Sequence, residues 1–346
     1  MAHGSRVSEA GVLSDCHTEG GPPDPAQSTT ERRRVSLTAG LPLSRSRIDR
    51  DAISRKIPGF LERIWADSAT KVVIIWRGEA LLAPGSHSEL ALFSAQDVPH
   101  ALHRIYLGVT TEAVRRIARG TKIVAAVVDD SQGTALEPDV KRWMSARTLA
   151  HTLDDLDAGL VVEALAMANW HASHAFSPRT GAATSVSQAG WTRVDSTTGA
   201  DLFPRTDAAV IALITDGEDR IVLGSNALWE SHRYSLLAGF VEPGESLEAA
   251  VIREVWEESG LAVVNPIYMG SQPWPFPASL MVGFQAQLDP ERASVLTPDG
   301  TEIIDLRWFT REELRDPECE ITLPGPPSIA RAMIDRWLDE LPVDPG

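Results

Sequence analysis

The sequence predicts an α/β protein with more than one domain. Its 346 residues are enough for two or three domains, and a content of 43% hydrophobic and 23% charged residues is typical of a globular chain. The apolar runs are short and strand-like, as at residues 72–76 and 123–128, and they alternate with segments of helical spacing. No run approaches the ~18 apolar residues that a membrane span requires, so we expect no membrane partner.

Charge and cysteine content exclude further classes of protein. The chain has 32 Lys and Arg against 48 Asp and Glu, a net charge of −16, which argues against general DNA or nucleic-acid binding. Cys16 and Cys319 are its only cysteines, too few for a disulfide framework or a multi-cysteine zinc site. The N-terminal segment lacks the apolar core of a secretory signal, so we expect a cytoplasmic protein.

The first half of the chain predicts a tail and an α+β domain. Residues 1–34 are rich in Gly, Pro, Ser and Thr and predict a disordered tail, whereas residues 35–165 alternate between strand and helix patterns. Nothing in this half has the spacing of a catalytic motif, which favours a structural or dimerising role. The predicted elements are strands at 71–76, 80–82, 103–108 and 122–128 and a helix at 149–170.

The second half predicts a small polar module and another α/β domain. Residues 166–204 form the module, and residues 205–342 form the domain. Turn-forming residues 216–219 separate the first two strands of this domain. Its predicted elements are strands at 208–214, 220–223, 280–287 and 302–309 and a terminal helix at 329–338.

A helix with an unusual cluster of acids is predicted within residues 239–261. Ser246 can cap a helix that begins at Leu247, and Gly260 can end it in a left-handed conformation. Near its end Glu254, Glu257 and Glu258 are spaced i, i+3 and i+4, so they share an arc of ~100° that overlaps the apolar face. Mutual repulsion and the helix dipole each oppose this arrangement by roughly a few tenths of a kcal/mol. A bound hard cation would reverse both effects, so the pattern indicates a metal site.

The segment resembles the signature of the Nudix hydrolases at every specified position. The matching residues are Gly239, Glu245, Arg253, Glu254, Val255, Glu257, Glu258, Gly260 and Leu261. The resemblance implies an α/β/α sandwich with a mixed sheet. It also implies hydrolysis of nucleoside diphosphates linked to another group, with Mg²⁺ or Mn²⁺ as the cofactor.

The resemblance also implies roles for individual residues. Glu254 and Glu258 would bind the metal, and Glu257 would bind it or help to activate water. Glu245 and Arg253 would pair to brace the loop against the helix. Further expected ligands are the main-chain carbonyl of Ala238 and the carboxylate of Glu302, with Asp299 as the alternative to Glu302.

A proline-rich run at residues 271–279 narrows the expected substrate. Its three prolines exclude a central strand or helix, and Trp274 and Phe276 could wall a slot for a planar ring. The run SQPWPFPxS resembles the NAD(H) pyrophosphatase branch of the Nudix enzymes, which implies cleavage of NAD(H) to NMN(H) and AMP. The implied substrate contacts are Phe203, Phe240, Gln272, Pro273, Trp274, Pro275, Phe276, Pro277, Ala278, Ser279 and Ala330. Phe203 stands where the family often has Tyr.

The chain departs from this branch at its zinc ribbon. The four cysteine positions correspond to Ser177, Thr180, Asp195 and Thr198, which are poor zinc ligands, and His171 and His174 alone make a weak site. We therefore expect no structural zinc. The module is instead expected to pack around its aromatic residues Trp170, Phe176, Trp191 and Phe203. The resemblance further implies a homodimer.

Three functional hypotheses follow from the sequence. The first is a metal-dependent NAD(H) diphosphatase, and the second is removal of NAD caps from RNA at the same site, which is compatible with the first. The third is a catalytically silent sensor that binds a dinucleotide, suggested by the lost cysteines. The intact cluster of Glu254, Glu257 and Glu258 argues against the sensor.

Overall fold

The structure is a computed structural model that describes residues 36–98, 100–115, 117–292 and 295–340. The predicted tail at 1–34 lies outside the described residues. The predicted domain bounds stay a prediction.

The first part of the described chain forms a seven-stranded mixed sheet. Its order is β1-β5-β6-β2-β3-β7, and β4 also pairs with β2. Only β2 and β6 pair in parallel. The strands are β1 (Ile48–Asp49), β2 (Lys71–Trp76), β3 (Glu79–Leu81), β4 (Leu92–Ser94), β5 (His103–Thr110), β6 (Lys122–Val127) and β7 (Trp143–Ser145). The helices are α1 (Phe60–Ala66), α2 (Asp130–Leu136), α3 (Ala146–Leu149) and α4 (Asp155–Ser173).

Strand β2 is buried on both faces, so its side chains alternate between two cores. Val73 and Ile75 pack with the buried helix α4, while Val72 and Ile74 lie in a core on the other face. The prediction of a single helix over 149–170 is wrong for its first part. A break separates α3 from α4, because the Asp154 side chain caps a new helix by accepting from the Asp157 N–H.

The predicted polar module contains a small sheet held by a buried aspartate. Strands β8 (Thr184–Ser187), β9 (Thr192–Asp195) and β10 (Asp201–Leu202) pair in the order β10-β9-β8. Asp195 accepts hydrogen bonds from the Thr180 hydroxyl at 2.5 Å and the Thr198 N–H at 3.0 Å. Hydrogen bonds from Thr180, Thr197 and Ser177 hold the pKa of Asp195 well below its usual range. The positions that correspond to the zinc ligands are thus joined by hydrogen bonds.

The prediction that this module packs around its aromatic residues is partly wrong. Phe176 and Phe203 are each 65% exposed, whereas Trp170 is buried. His171 is also buried: its Nε2 lies 2.8 Å from the Gly190 carbonyl, and Arg193 lies 2.9 Å from its Nδ1. Polar contacts centred on Asp195 and His171 replace the missing aromatic core.

The third sheet forms the domain that carries the acidic helix. Its order is β14-β15-β11-β12-β16, and β13 also pairs with β11. Only β11 and β15 pair in parallel. The strands are β11 (Asp207–Thr215), β12 (Ile221–Asn226), β13 (Leu237–Phe240), β14 (Val263–Trp274), β15 (Ser279–Leu288) and β16 (Ile303–Phe309). The helices are α5 (Leu247–Ser259), α6 (Arg311–Arg315) and α7 (Ile329–Asp339).

Helices cover both faces of this sheet. Val210 and Ala212 of β11 pack with α5, whereas Ile211 and Leu213 share a core with α7. This alternation follows from the two-residue period of a strand. The predicted α/β class and mixed sheet are confirmed. None of the helices in the described ranges is long and apolar enough to cross a membrane.

Candidate active site

Strand β13, the following turn and α5 are tied together by one arginine. Arg253 donates to both carboxylate oxygens of Glu245 at 3.1 and 2.5 Å, and to the Phe240 carbonyl at 2.9 Å. Its Nη1 also lies 2.9 Å from both Glu254 and Glu257. A planar guanidinium can hold several acceptors in fixed directions, so Arg253 sets the position of the turn against the helix.

The Glu254 side chain of α5 lies so close to β13 that any side chain at Gly239 would have to displace it. A Cβ built on Gly239 would lie 2.0 Å from the carboxyl carbon of Glu254. Glu258 contacts the same strand, accepting from the Ala238 N–H at 3.2 Å. Both acids are therefore pressed against the backbone of β13.

Three carboxylates interact electrostatically where α5, β13 and the start of β16 adjoin: Glu254, Glu258 and Glu302. Glu258 is 5% exposed, and the Glu254 side chain is 15% exposed. Glu302, just before β16, faces them and accepts from the Asn226 amide at 3.4 Å. Burial, followed by the charges of Glu302 and Glu254, raises the pKa of Glu258 to about 8. Burial also raises the pKa of Glu254, although Arg253 opposes it.

This crowding suits a divalent cation. A buried carboxylate surrounded by other acids must take up a proton or a cation, and carboxylate oxygens are preferred ligands of Mg²⁺ and Mn²⁺. No group of three or more His, Cys, Asp or Glu side chains is assembled as a metal site within the described ranges. Among the described residues the acids are thus near one another without forming a complete set of metal ligands.

The remaining predicted acids have other neighbours. The Glu257 side chain is 56% exposed and lies 2.9 Å from Arg253. Asp299 accepts from the Thr301 and Glu302 N–H groups at 2.5 and 2.7 Å, which shapes the loop that carries Glu302. Asp299 therefore supports the position of Glu302.

A cavity of about 410 Å³ opens beside these acids. Five of the predicted site residues line it, and they come from five separate parts of the domain: Ala238, Glu258, Trp274, Glu302 and Ala330. Phe240 and Phe203 are not among the lining residues and are 58% and 65% exposed. The volume suits a small-molecule ligand.

The proline-rich run is a hairpin whose first part belongs to a strand. Strand β14 ends with residues 271–274, which include Pro273, and β15 begins at Ser279. The turn between them consists of Pro275, Phe276, Pro277 and Ala278. Pro273 is tolerated within β14 because β14 is an edge strand. Asn169 of α4 donates to the carbonyls of Pro275 and Pro277 at 2.9 and 3.1 Å, so the first domain anchors the hairpin tip.

Gln272 supports the cavity wall from behind. It is fully buried, its Nε2 donates to the Pro327 carbonyl at 2.8 Å, and its Oε1 accepts from the Ile329 N–H at 2.8 Å. Its amide thus joins the hairpin to the start of α7, which carries Ala330. A direct contact between Gln272 and substrate stays a prediction.

Four further lining residues carry no sequence signal of their own: Arg147, Asn226, Trp229 and Arg233. Arg147 belongs to α3 in the first domain, far from any motif. Asn226 ends β12, and Trp229 and Arg233 follow it in a loop without periodic spacing. In the sequence, the signal that could have indicated Trp229 and Arg233 is an Arg four residues after a Trp in that loop.

Comparisons with known proteins agree with this architecture. Residues 205–326 match the family described as NUDIX domain, and residues 69–170 match the NADH pyrophosphatase-like rudimentary NUDIX domain. The NAD-capped RNA hydrolase NudC of Mycobacterium bovis (strain BCG / Pasteur 1173P2) is 41% identical over 303 residues, which cover 82% of this chain and 95% of the relative. The chain belongs to the Nudix hydrolase family. The match at residues 69–170 places this Nudix hydrolase in the NADH pyrophosphatase branch, as its sequence predicted.

More distant relatives match smaller parts of this Nudix hydrolase. The human NAD-capped RNA hydrolase NUDT12 is 36% identical over 201 residues, 54% of this chain and 43% of that protein. A solved Nudix hydrolase from Nitrosomonas europaea is 19% identical with a TM-score of 0.39, covering 47% of this chain and 90% of that one. Nudix hydrolases generally use divalent metal ions.

Proposed function

We propose that this protein is a metal-dependent NAD(H) diphosphatase that forms NMN(H) and AMP. The observation that carries the proposal is that Glu258 and Glu302 line a cavity whose wall also contains Trp274, with the charge of Glu254 close to Glu258. One end of this cavity suits a cation and the pyrophosphate it attracts, and the aromatic wall suits a base. The NADH pyrophosphatase-like match at residues 69–170 supports the same substrate.

The proposed metal is Mg²⁺ or Mn²⁺, held by Glu254, Glu258 and Glu302 with the Ala238 carbonyl. When bound, such an ion lowers the pKa of water and neutralises charge on the phosphates. The chain itself contributes position: Arg253 and Glu245 hold the turn, and Gly239 lets the helix approach β13. Glu257, the most exposed of the three helix acids, is the proposed acceptor of the proton that the attacking water releases.

The cavity also favours a second activity, removal of NAD caps from RNA. The relatives from M. bovis and human are both named NAD-capped RNA hydrolases. The cap and free NAD share the same pyrophosphate, so one site can act on both. The two activities are distinguished by kcat/KM for free NAD(H) and for an NAD-capped oligonucleotide.

The decisive experiment incubates the purified protein with NADH and Mn²⁺ in ¹⁸O-labelled water. We expect NMNH and AMP, with the label in one of the two mononucleotides, which identifies the phosphorus that is attacked. Tight NADH binding without hydrolysis at any metal concentration would contradict the proposal and favour the silent sensor.

We also propose a homodimer in the cytoplasm, where NAD(H) and RNA are available together. Sedimentation of the purified protein tests the first point, and fractionation of cells that produce it tests the second. A monomer that retains full activity would remove the dimer from the proposal.

A further inference from the structure

Two arginines stack on aromatic rings at the edge of the cavity. The Arg147 guanidinium lies 5.4 Å from the Trp274 ring centre and 4.7 Å from that of Phe276. The Arg233 guanidinium lies 5.6 Å from the ring centre of Trp229. Both arginines are exposed and line the cavity, so they form its outer rim.

Within the described part of the chain, no carboxylate forms an ion pair with the arginines of this rim. Neither Arg147 nor Arg233 forms an ion pair with a carboxylate among the described residues, whereas Arg253 contacts three. A guanidinium stacked on a ring keeps its N–H edge available, and this edge suits the oxygens of a phosphate.

The size of the cavity limits how much of a capped RNA can fit inside it. A volume of about 410 Å³ is in the range for a small ligand and too small for a chain of several nucleotides. Any RNA attached to the cap must therefore cross the rim to reach solvent. Trp229, 38% exposed, offers a ring at this exit for base stacking.

Resting on the proposed function, we propose that Arg147, Arg233 and Trp229 form a binding rim for the RNA that follows an NAD cap. The arginines contact the first phosphates after the cap, and the Trp229 ring stacks on a base. Single-stranded nucleic acid is held by this combination of cations and aromatic faces. The rim thereby favours capped RNA over free NAD(H), and the first domain takes part in that selection through Arg147.

The test compares capped RNA with free NADH in the variants Arg147→Gln, Arg233→Gln and the double variant. We expect the ratio of kcat/KM for a short NAD-capped single-stranded RNA to that for NADH to fall by about tenfold in the double variant. The dependence of log kcat/KM on log salt for the capped RNA should weaken by about 0.7 for each phosphate contact removed. Trp229→Ala should lower the same ratio, and Trp229→Phe should restore most of it.

The matched control is Arg119→Gln, which removes an exposed arginine that does not line the cavity. It should leave the ratio and the salt dependence as in the wild type. An equal loss with both substrates in Arg147→Gln would overturn the proposal, because Arg147 would then merely hold the hairpin through Trp274 and Phe276.

Further outcomes distinguish a failure of the RNA proposal from a failure of the proposed function. NADPH carries an extra phosphate on its adenosine ribose, so a loss confined to NADPH would assign the rim to that phosphate and overturn the RNA proposal. A wild-type protein that cleaves NADH at full rate and ignores capped RNA also overturns it. If the wild type cleaves neither substrate, the proposed function itself has failed.

Discussion

In the first domain, β2 pairs in parallel with β6 and antiparallel with β3 and β4. In the second domain, β11 pairs in parallel with β15 and antiparallel with β12 and β13. The outer pairs also correspond, since β5 lies beside β6 as β14 lies beside β15, and β7 beside β3 as β16 beside β12. The two sheets therefore have the same connectivity, which agrees with the rudimentary NUDIX match at residues 69–170.

The two domains differ in the connection that carries the acids. Between β13 and β14 lies α5, with 13 residues, whereas a three-residue 3₁₀ turn (Ala95–Asp97) is the only helical element between β4 and β5 among the described residues. Trp76 and Trp143 pack in that part of the first domain, with ring centres 4.9 Å apart. The first domain thus keeps the connectivity of the sheet without this helix. The acidic helix α5 is what distinguishes the second, proposed catalytic domain from the first.

Each domain also buries one glutamate, with opposite surroundings. Glu163 of α4 is 5% exposed, and burial raises its pKa to about 7, although Arg50 at 3.5 Å and Arg55 oppose the shift. Glu258 is equally buried but is surrounded by acids. The chain supplies cations beside the first glutamate, whereas the surroundings of the second favour a bound proton or a cation from solution.

The largest expected effect is that of Glu258→Gln. Hydrolysis of NADH with Mn²⁺ should fall by at least ~10³-fold, or about 4 kcal/mol in activation free energy, because the variant lacks a proposed metal ligand. Mn²⁺ should raise the melting temperature of the wild type and not of this variant. Glu163→Gln and Glu248→Gln, which changes an exposed acid of α5, serve as controls and should retain activity within about threefold. Wild-type turnover by Glu258→Gln would remove this residue from the mechanism.

A smaller effect is expected from Gly239→Ala. The new methyl group would overlap Glu254 and displace its carboxylate, so kcat should fall by about 10²-fold, the usual consequence of a misplacement near 1 Å. Gly217→Ala is the matched control, because nothing lies within 4 Å of its added Cβ. Steady-state rates at saturating Mn²⁺ measure both variants. Equal activity would show that the close approach of α5 to β13 is not needed.

The smallest effect concerns stability at Glu163. Its folded-state pKa of about 7 exceeds the ordinary value of 4.5, so the folded protein holds a proton that the unfolded chain releases. The wild type should therefore lose stability relative to Glu163→Gln as pH rises from about 4.5 to about 7. Thermal unfolding across this range checks the sign. If the difference in stability between the wild type and Glu163→Gln does not change with pH, Arg50 and Arg55 fully compensate the charge of Glu163.

Local sequence predicted much of the second domain. Ser246 caps α5 and Gly260 ends it with a φ of +69°, as their residue types indicate. Edge-strand placement of the proline run also follows from chemistry, because proline cannot donate to a neighbouring strand. The break before α4 was missed, since the capping contact of Asp154 competes with an apolar period that continues across it.

The sequence by itself determined the α/β class, the acidic helix and the resemblance to the Nudix hydrolases, because caps, periodicity and motif spacing act over short distances along the chain. Only the tertiary structure decided that Arg147 of the first domain meets Trp274 of the second, and that Gln272 faces inward to Ile329. It also placed Asp195 at the centre of the positions that lack cysteine. These contacts join residues far apart in sequence, and burial and backbone packing, which no local pattern encodes, select them.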